Sequence, residues 1–193
     1  MSVALRPSMT LAEFLAWEDG QDLRHEFDGF HPVAMTGGTR AHAILQGNLM
    51  GALHGRLRGG PCRAFGSDLK VEVAGSIRYP DAFVVCTGGA NDSTVVRDPV
   101  VIFEVLSPST AANDRITKNR EYAATPSVRR YVMLEQDRIA ATVFARIEGE
   151  WRGALLTEAD TLHLPEIGIA LPLAELYEDM DLPPDPDSAA RET

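Results

Sequence analysis

Two stretches of the chain, Ala82 to Cys86 and Val100 to Leu106, are apolar at almost every position. A strand with one wet face alternates apolar and polar residues, so unbroken runs imply strands buried on both faces in the middle of a sheet. Glu104 interrupts the second run between Phe103 and Val105, where neither face offers water. An unpaired carboxylate buried there costs on the order of several kcal/mol or is forced to protonate, which calls for a cation or a metal ion beside it. The alternatives are an edge strand that lets Glu104 reach water, or a structural salt bridge.

Asp81 follows Pro80 and immediately precedes the first of these strands. Alone it reads as a turn or strand-entry residue. Paired with Glu104 from a neighbouring central strand, it gives two carboxylates of the hard-oxygen kind that magnesium or manganese prefers, with positions left open for water and a phosphate oxygen.

The remaining elements surround this pair. Thr10 and Glu13 form a capping box that starts a helix over residues 10–19, stopped by Gly20. Asp28-Gly29 marks a hairpin between two short strands within residues 23–36. Leu45, Leu49, Leu53 and Leu57 recur every four positions and predict a long amphipathic helix over 39–58, ended by Gly59-Gly60-Pro61. Leu69, Val71 and Val73 alternate with Lys70 and Glu72, as in a half-buried strand. Residues 111–124 have helical composition and stop before Pro126, and spacing of four puts Asp114, Lys118 and Tyr122 on one face. A strand at 131–134, a meander over 140–146 and 151–156, a short segment near Leu162 and a helical turn at 173–177 complete the reading.

The chain of 193 residues, 45% of them apolar, can fill one core, so residues 1–182 are expected to form one domain. Residues 183–193, rich in Pro and Asp, are expected to form a disordered acidic tail. Cys62 and Cys86 match no metal or redox spacing and describe no disulfide framework, which fits a reducing cytoplasm. No leader or membrane span is evident. The net charge of −10 argues against a nucleic-acid partner, although six acids against one arginine after residue 177 account for half of it.

The ordered set Arg24-His25-Glu26-Phe27-Asp28-Gly29, Tyr79-Pro80-Asp81, Phe103-Glu104-Val105-Leu106-Ser107-Pro108-Ser109-Thr110, Asp114, Lys118 and Glu121-Tyr122 resembles the Uma-type restriction endonuclease family of the PD-(D/E)xK nuclease superfamily. Tyr131-Val132-Met133-Leu134 and Leu171-Pro172-Leu173-Ala174-Glu175-Leu176-Tyr177 extend the resemblance to about residues 9–178. The resemblance implies an α/β restriction-endonuclease-like fold: a mixed central sheet flanked by the 39–58 and Lys118 helices, with an antiparallel strand extension over 128–165.

It also implies that Asp81 and Glu104 hold Mg2+ or Mn2+ and that Glu26 joins them as an accessory metal or water ligand. Leu106 stands where the usual E-x-K would place its lysine, so the resemblance assigns that role to Lys118, which would orient the water or neutralise developing charge. His42 matches a histidine common in the family, placed to approach a phosphate or simply at the surface; Asp68 and Lys70 are weaker candidates to flank the site. The implied activity is hydrolysis of phosphodiester bonds in DNA, with a homodimer left open. The alternative is a nuclease-fold module that binds nucleic acid or protein without cutting.

Overall fold

The structure, a computed structural model, describes residues 8–35, 37–107 and 111–182. The acidic tail expected at 183–193 lies outside the described residues. Two mixed sheets form the framework. The larger, of six strands, runs in the order β11 (Glu150–Thr157), β10 (Ala140–Ile147), β9 (Arg130–Leu134), β8 (Val101–Val105), β6 (Ala82–Val85), β3 (Arg63–Gly66). The smaller runs β2 (Pro32–Ala34), β1 (His25–Phe27), β5 (Ser76–Arg78), β4 (Lys70–Val73), β7 (Val95–Val96). β12 (Thr161–Leu164) and β13 (Ile169–Pro172) pair separately.

The two apolar runs are the neighbouring inner strands β6 and β8, antiparallel to each other, while β8 and β9 are parallel. Their alternate residues serve different cores. Ala82, Val84, Val101, Phe103 and Val105 pack with Leu45, Leu49, Leu53 and Leu57 of α2 (Arg40–Leu57), which explains the four-residue leucine spacing. Phe83, Val85, Ile102 and Leu106 face the other way, onto Tyr122, Val128 and the Val71 and Val73 side chains of the smaller sheet. Glu104 belongs by parity to this second face. A third cluster places Phe14 of α1 (Leu11–Glu18) against Phe27, Ile77 and Tyr79, beneath the capping box of Thr10 and Glu13.

Two expectations need correction. Lys70 does not point to water: it is 5% exposed and ion-paired with Glu18, so the alternation over 69–73 reports a buried charge pair instead of a wet face. Cys62 and Cys86 form a disulfide. The register pairs Arg63 with Val85, so the next positions outward bring the two cysteines face to face across β3 and β6. Sequence spacing cannot show this, because β3 carries no clear strand pattern. The inference of a reducing compartment from those cysteines lapses with it. Among the described residues no helix is long and apolar enough to cross a membrane.

Candidate active site

The register of β6 on β8 pairs Ala82 with Phe103. One position further, Asp81 stands opposite Glu104 on the same face. Like charges directly across antiparallel strands repel, so this pairing needs positive charge nearby. Asp81 is fixed in place by three contacts: its Oδ2 accepts from Val105 N–H at 2.7 Å, its carbonyl accepts from Gln46 of α2 at 2.8 Å, and its Oδ1 lies 3.1 Å from His42 Nε2. His42 sits in the first turn of α2, where Thr39 caps the helix by accepting from His42 N–H.

Glu104 is 4% exposed. Its Oε1 accepts from Lys118 Nζ at 2.9 Å and from the Tyr122 hydroxyl at 3.0 Å. Both donors come from one helical segment: α3 (Ala111–Asn113), a π-helical turn (Asp114–Lys118) and α4 (Asn119–Ala124). In the wide turn the Asn119 N–H reaches Asp114 O, and the Tyr131 hydroxyl donates to the same carbonyl at 3.2 Å. Single π turns inside helices are frequent at functional sites. This one sets the only helical lysine of the chain against a strand carboxylate.

Lys118 is surrounded by acid. Besides Glu104, Asp114 Oδ1 lies 3.1 Å and Glu26 Oε1 3.3 Å from its Nζ. The Asp114 contact is an ion pair without hydrogen-bond geometry, which leaves that buried oxygen without a donor. Burial opposes charge on Lys118, but Glu104, Glu26 and Asp114 outweigh it and hold the pKa above the ordinary lysine value. The Glu104 pKa is raised too, which here favours the neutral form: burial first, then the charges of Asp81, Asp114 and Glu26, lift it to about 8 against the lowering effect of Lys118. Acid is in excess here, and one ammonium does not balance it.

The predicted residues therefore meet. Asp81, Glu104, Lys118 and Glu26 converge, with His42 beside Asp81 instead of free on the surface. Asp68 and Lys70 are engaged elsewhere, Asp68 with Arg24 in an exposed pair and Lys70 with Glu18. Sequence reasoning assigned no role to Asp114, Gln46 or Arg78. Arg78 lies on β5, a strand of three residues with no legible pattern, and Asp114 was visible only as a residue sharing a face with Lys118.

The donors suit a hard cation. All are carboxylate oxygens, and acid is in excess around the one ammonium. Among the described residues no three His, Cys, Asp or Glu side chains are gathered as a metal cage. Two carboxylates with water and substrate oxygens completing the shell is how magnesium is commonly held, whereas a structural zinc site needs four protein ligands.

The chain is 31% identical over 175 residues to the uncharacterized protein slr1290 of Synechocystis, covering 89% of this chain and 92% of that protein. It is 29% identical over 141 residues to Synechocystis sll1609, covering 70% and 80% respectively. Its fold matches, at a TM-score of 0.74 and 16% identity, the crystal structure of "a putative nuclease belonging to DUF820" from Anabaena variabilis, over 88% of this chain and 97% of that one. The model of the Uma2 family, described as "Putative restriction endonuclease", matches residues 11–174, and the chain belongs to that family.

Proposed function

We propose that this protein is a divalent-metal-dependent endonuclease that hydrolyses phosphodiester bonds in DNA. The observation that carries the reading is the Asp81–Glu104 pair, two carboxylates opposed on adjacent inner strands with Glu104 held near a pKa of about 8 by burial and surplus negative charge. Asp81 and Glu104 would hold Mg2+ or Mn2+. The ion, when bound, supplies Lewis-acid stabilisation of the charge that develops on the phosphate oxygens.

In hydrolysis a water oxygen bonds to phosphorus as the bond from phosphorus to the ester oxygen breaks, and the proton that the water gives up to solvent is matched by one that the leaving oxygen takes from solvent. Lys118 remains charged throughout, so it serves as a fixed positive donor that orients water or faces the developing charge, not as a base. Val105 N–H and Gln46 keep Asp81 from turning away. Asp81 and His42, with side chains 14% and 17% exposed, are more accessible than Glu104 or Lys118, so substrate would approach from α2's first turn.

The second reading, a module that binds without cutting, is favoured by the net charge of −10. Purified protein incubated with single-stranded and duplex DNA under magnesium, manganese or EDTA decides between them. Metal-dependent cutting that disappears in Glu104→Gln supports the nuclease. Binding without cutting in any metal supports the module.

A further inference from the structure

The charges around Lys118 close into a ring. Glu121, three residues beyond Lys118 on the same helical segment, accepts from Arg78 at both oxygens, from Nε at 2.7 Å and from Nη2 at 2.6 Å. The same guanidinium donates through Nη1 to Glu26 Oε2 at 3.2 Å. Glu26 Oε1 accepts from Tyr79 N–H at 3.2 Å and lies 3.3 Å from Lys118 Nζ. Arg78 is 1% exposed, and both oxygens of Glu26 already face protein donors.

A carboxylate engaged by a backbone N–H, a guanidinium and an ammonium has little charge left to offer an ion. It does, however, fix one corner of the ammonium. Lysine carries its charge on a flexible four-carbon stem, and a reacting geometry displaced by about 1 Å can cost on the order of a hundredfold in rate.

We propose that Arg78 and Glu26 are positioning residues for Lys118. Arg78, tied to the Lys118 helix through Glu121, holds Glu26 against the ammonium, and Glu26 with Asp114 sets where that ammonium stands beside Glu104. The smaller sheet, which carries both residues, is thereby part of the chemistry and not only support. This rests on the nuclease reading and deepens it, assigning Glu26 to the lysine in place of the metal.

The test uses the full chain and three measurements: single-turnover cleavage, calorimetric titration with manganese, and NMR of nitrogen-15 lysine. The chain has only two lysines, and Lys70, paired with Glu18 outside the ring, is the internal reference. Glu26→Gln keeps the shape and the Tyr79 bond, while Arg78→Lys keeps the charge but loses the planar fork. Each should slow cleavage by about tenfold or more and leave manganese affinity within about threefold of wild type. In both, the Lys118 ammonium signal should shift and exchange faster with water while that of Lys70 stays. The double variant should be slower than the worse single by no more than about threefold, because both act through one ammonium.

Loss of manganese affinity in Glu26→Gln would make Glu26 a metal ligand and overturn the proposal. An unmoved Lys118 signal in both variants would overturn it equally. Should Arg78→Lys not fold, Glu121→Gln tests the ring from the helix side with the same expected pattern. A wild-type protein that cuts nothing would sink the nuclease reading instead, and the Lys118 signal would still decide whether the ring holds the ammonium.

Discussion

His42 Nε2 lies 3.1 Å from Asp81 Oδ1, tying the first turn of α2 to the start of β6. The hydrogen bond to Asp81 raises the His42 pKa, opposed by burial. A raised folded-state pKa means the pair stabilises the fold fully below the ordinary histidine value and loses that contribution as pH rises through the shifted one. His42→Ala should therefore destabilise the metal-free protein more at about pH 6 than at about pH 9. Urea denaturation at both values measures this; an equal cost at both would mean His42 does not rely on charge.

Glu104 has the same sign, because its folded-state pKa is also raised. With its folded pKa near 8, the native state keeps a proton that the unfolded chain releases from about pH 4.3, so this residue's contribution to stability falls as pH rises across that window. Manganese must displace the proton. Its affinity should rise toward about pH 8 and, at about pH 7, binding should release protons, seen as a calorimetric enthalpy that depends on the buffer's ionisation heat. Buffer-independent heat would show that Glu104 is already ionised.

Lys118→Ala should cost about 3 to 5 kcal/mol of stability, because it leaves buried carboxylates without their cation. A solvated helical lysine would cost about 0.5 kcal/mol or less. The variant site is more negative, so manganese should bind at least as tightly and restore part of the lost stability while cleavage stays lost. Guanidinium melts with and without manganese, beside single-turnover assays in conditions where the variant is folded, separate these effects. Cleavage at the wild-type rate would remove Lys118 from the mechanism.

The disulfide closes a loop with a sequence separation of 24 residues. Loop closure of that size is worth about 3 kcal/mol, so Cys62→Ala/Cys86→Ala should unfold at a lower denaturant concentration than the oxidised protein. Manganese affinity should be unchanged, since the cysteines flank the end of β6 away from Asp81. Two free thiols in the native oxidised sample, by thiol titration, would contradict the bond.

Much of this was legible because burial leaves a pattern. Continuous apolar runs marked β6 and β8 as inner strands, and the intrusion of Glu104 into one of them pointed to the candidate site. The leucines of α2 and the capping box of α1 were equally direct. What escaped depended on partners remote in sequence. Lys70 in an alternating stretch looks solvated until Glu18, 52 residues away, is folded against it. Arg78 looks like a strand-end charge, since its three-residue strand has no readable period and its acids come from β1 and from the Lys118 helix. The cysteines needed the β3–β6 register. The family resemblance placed Lys118, which spacing alone could not have chosen from an E-x-K that is absent.

Both lysines of the chain are buried, at 5% and 6% exposure, and every other basic side chain except histidine is arginine. The folded protein therefore presents almost no side-chain amine to an acylating reagent, and modification at Lys70 or Lys118 can proceed only from opened states. Amine labelling thus becomes a clock for opening, with Lys70 timing the departure of α1 from the smaller sheet and Lys118 timing the release of the helical segment. The same scarcity makes surface immobilisation through lysine a route to denatured material, and argues for coupling this protein through other groups.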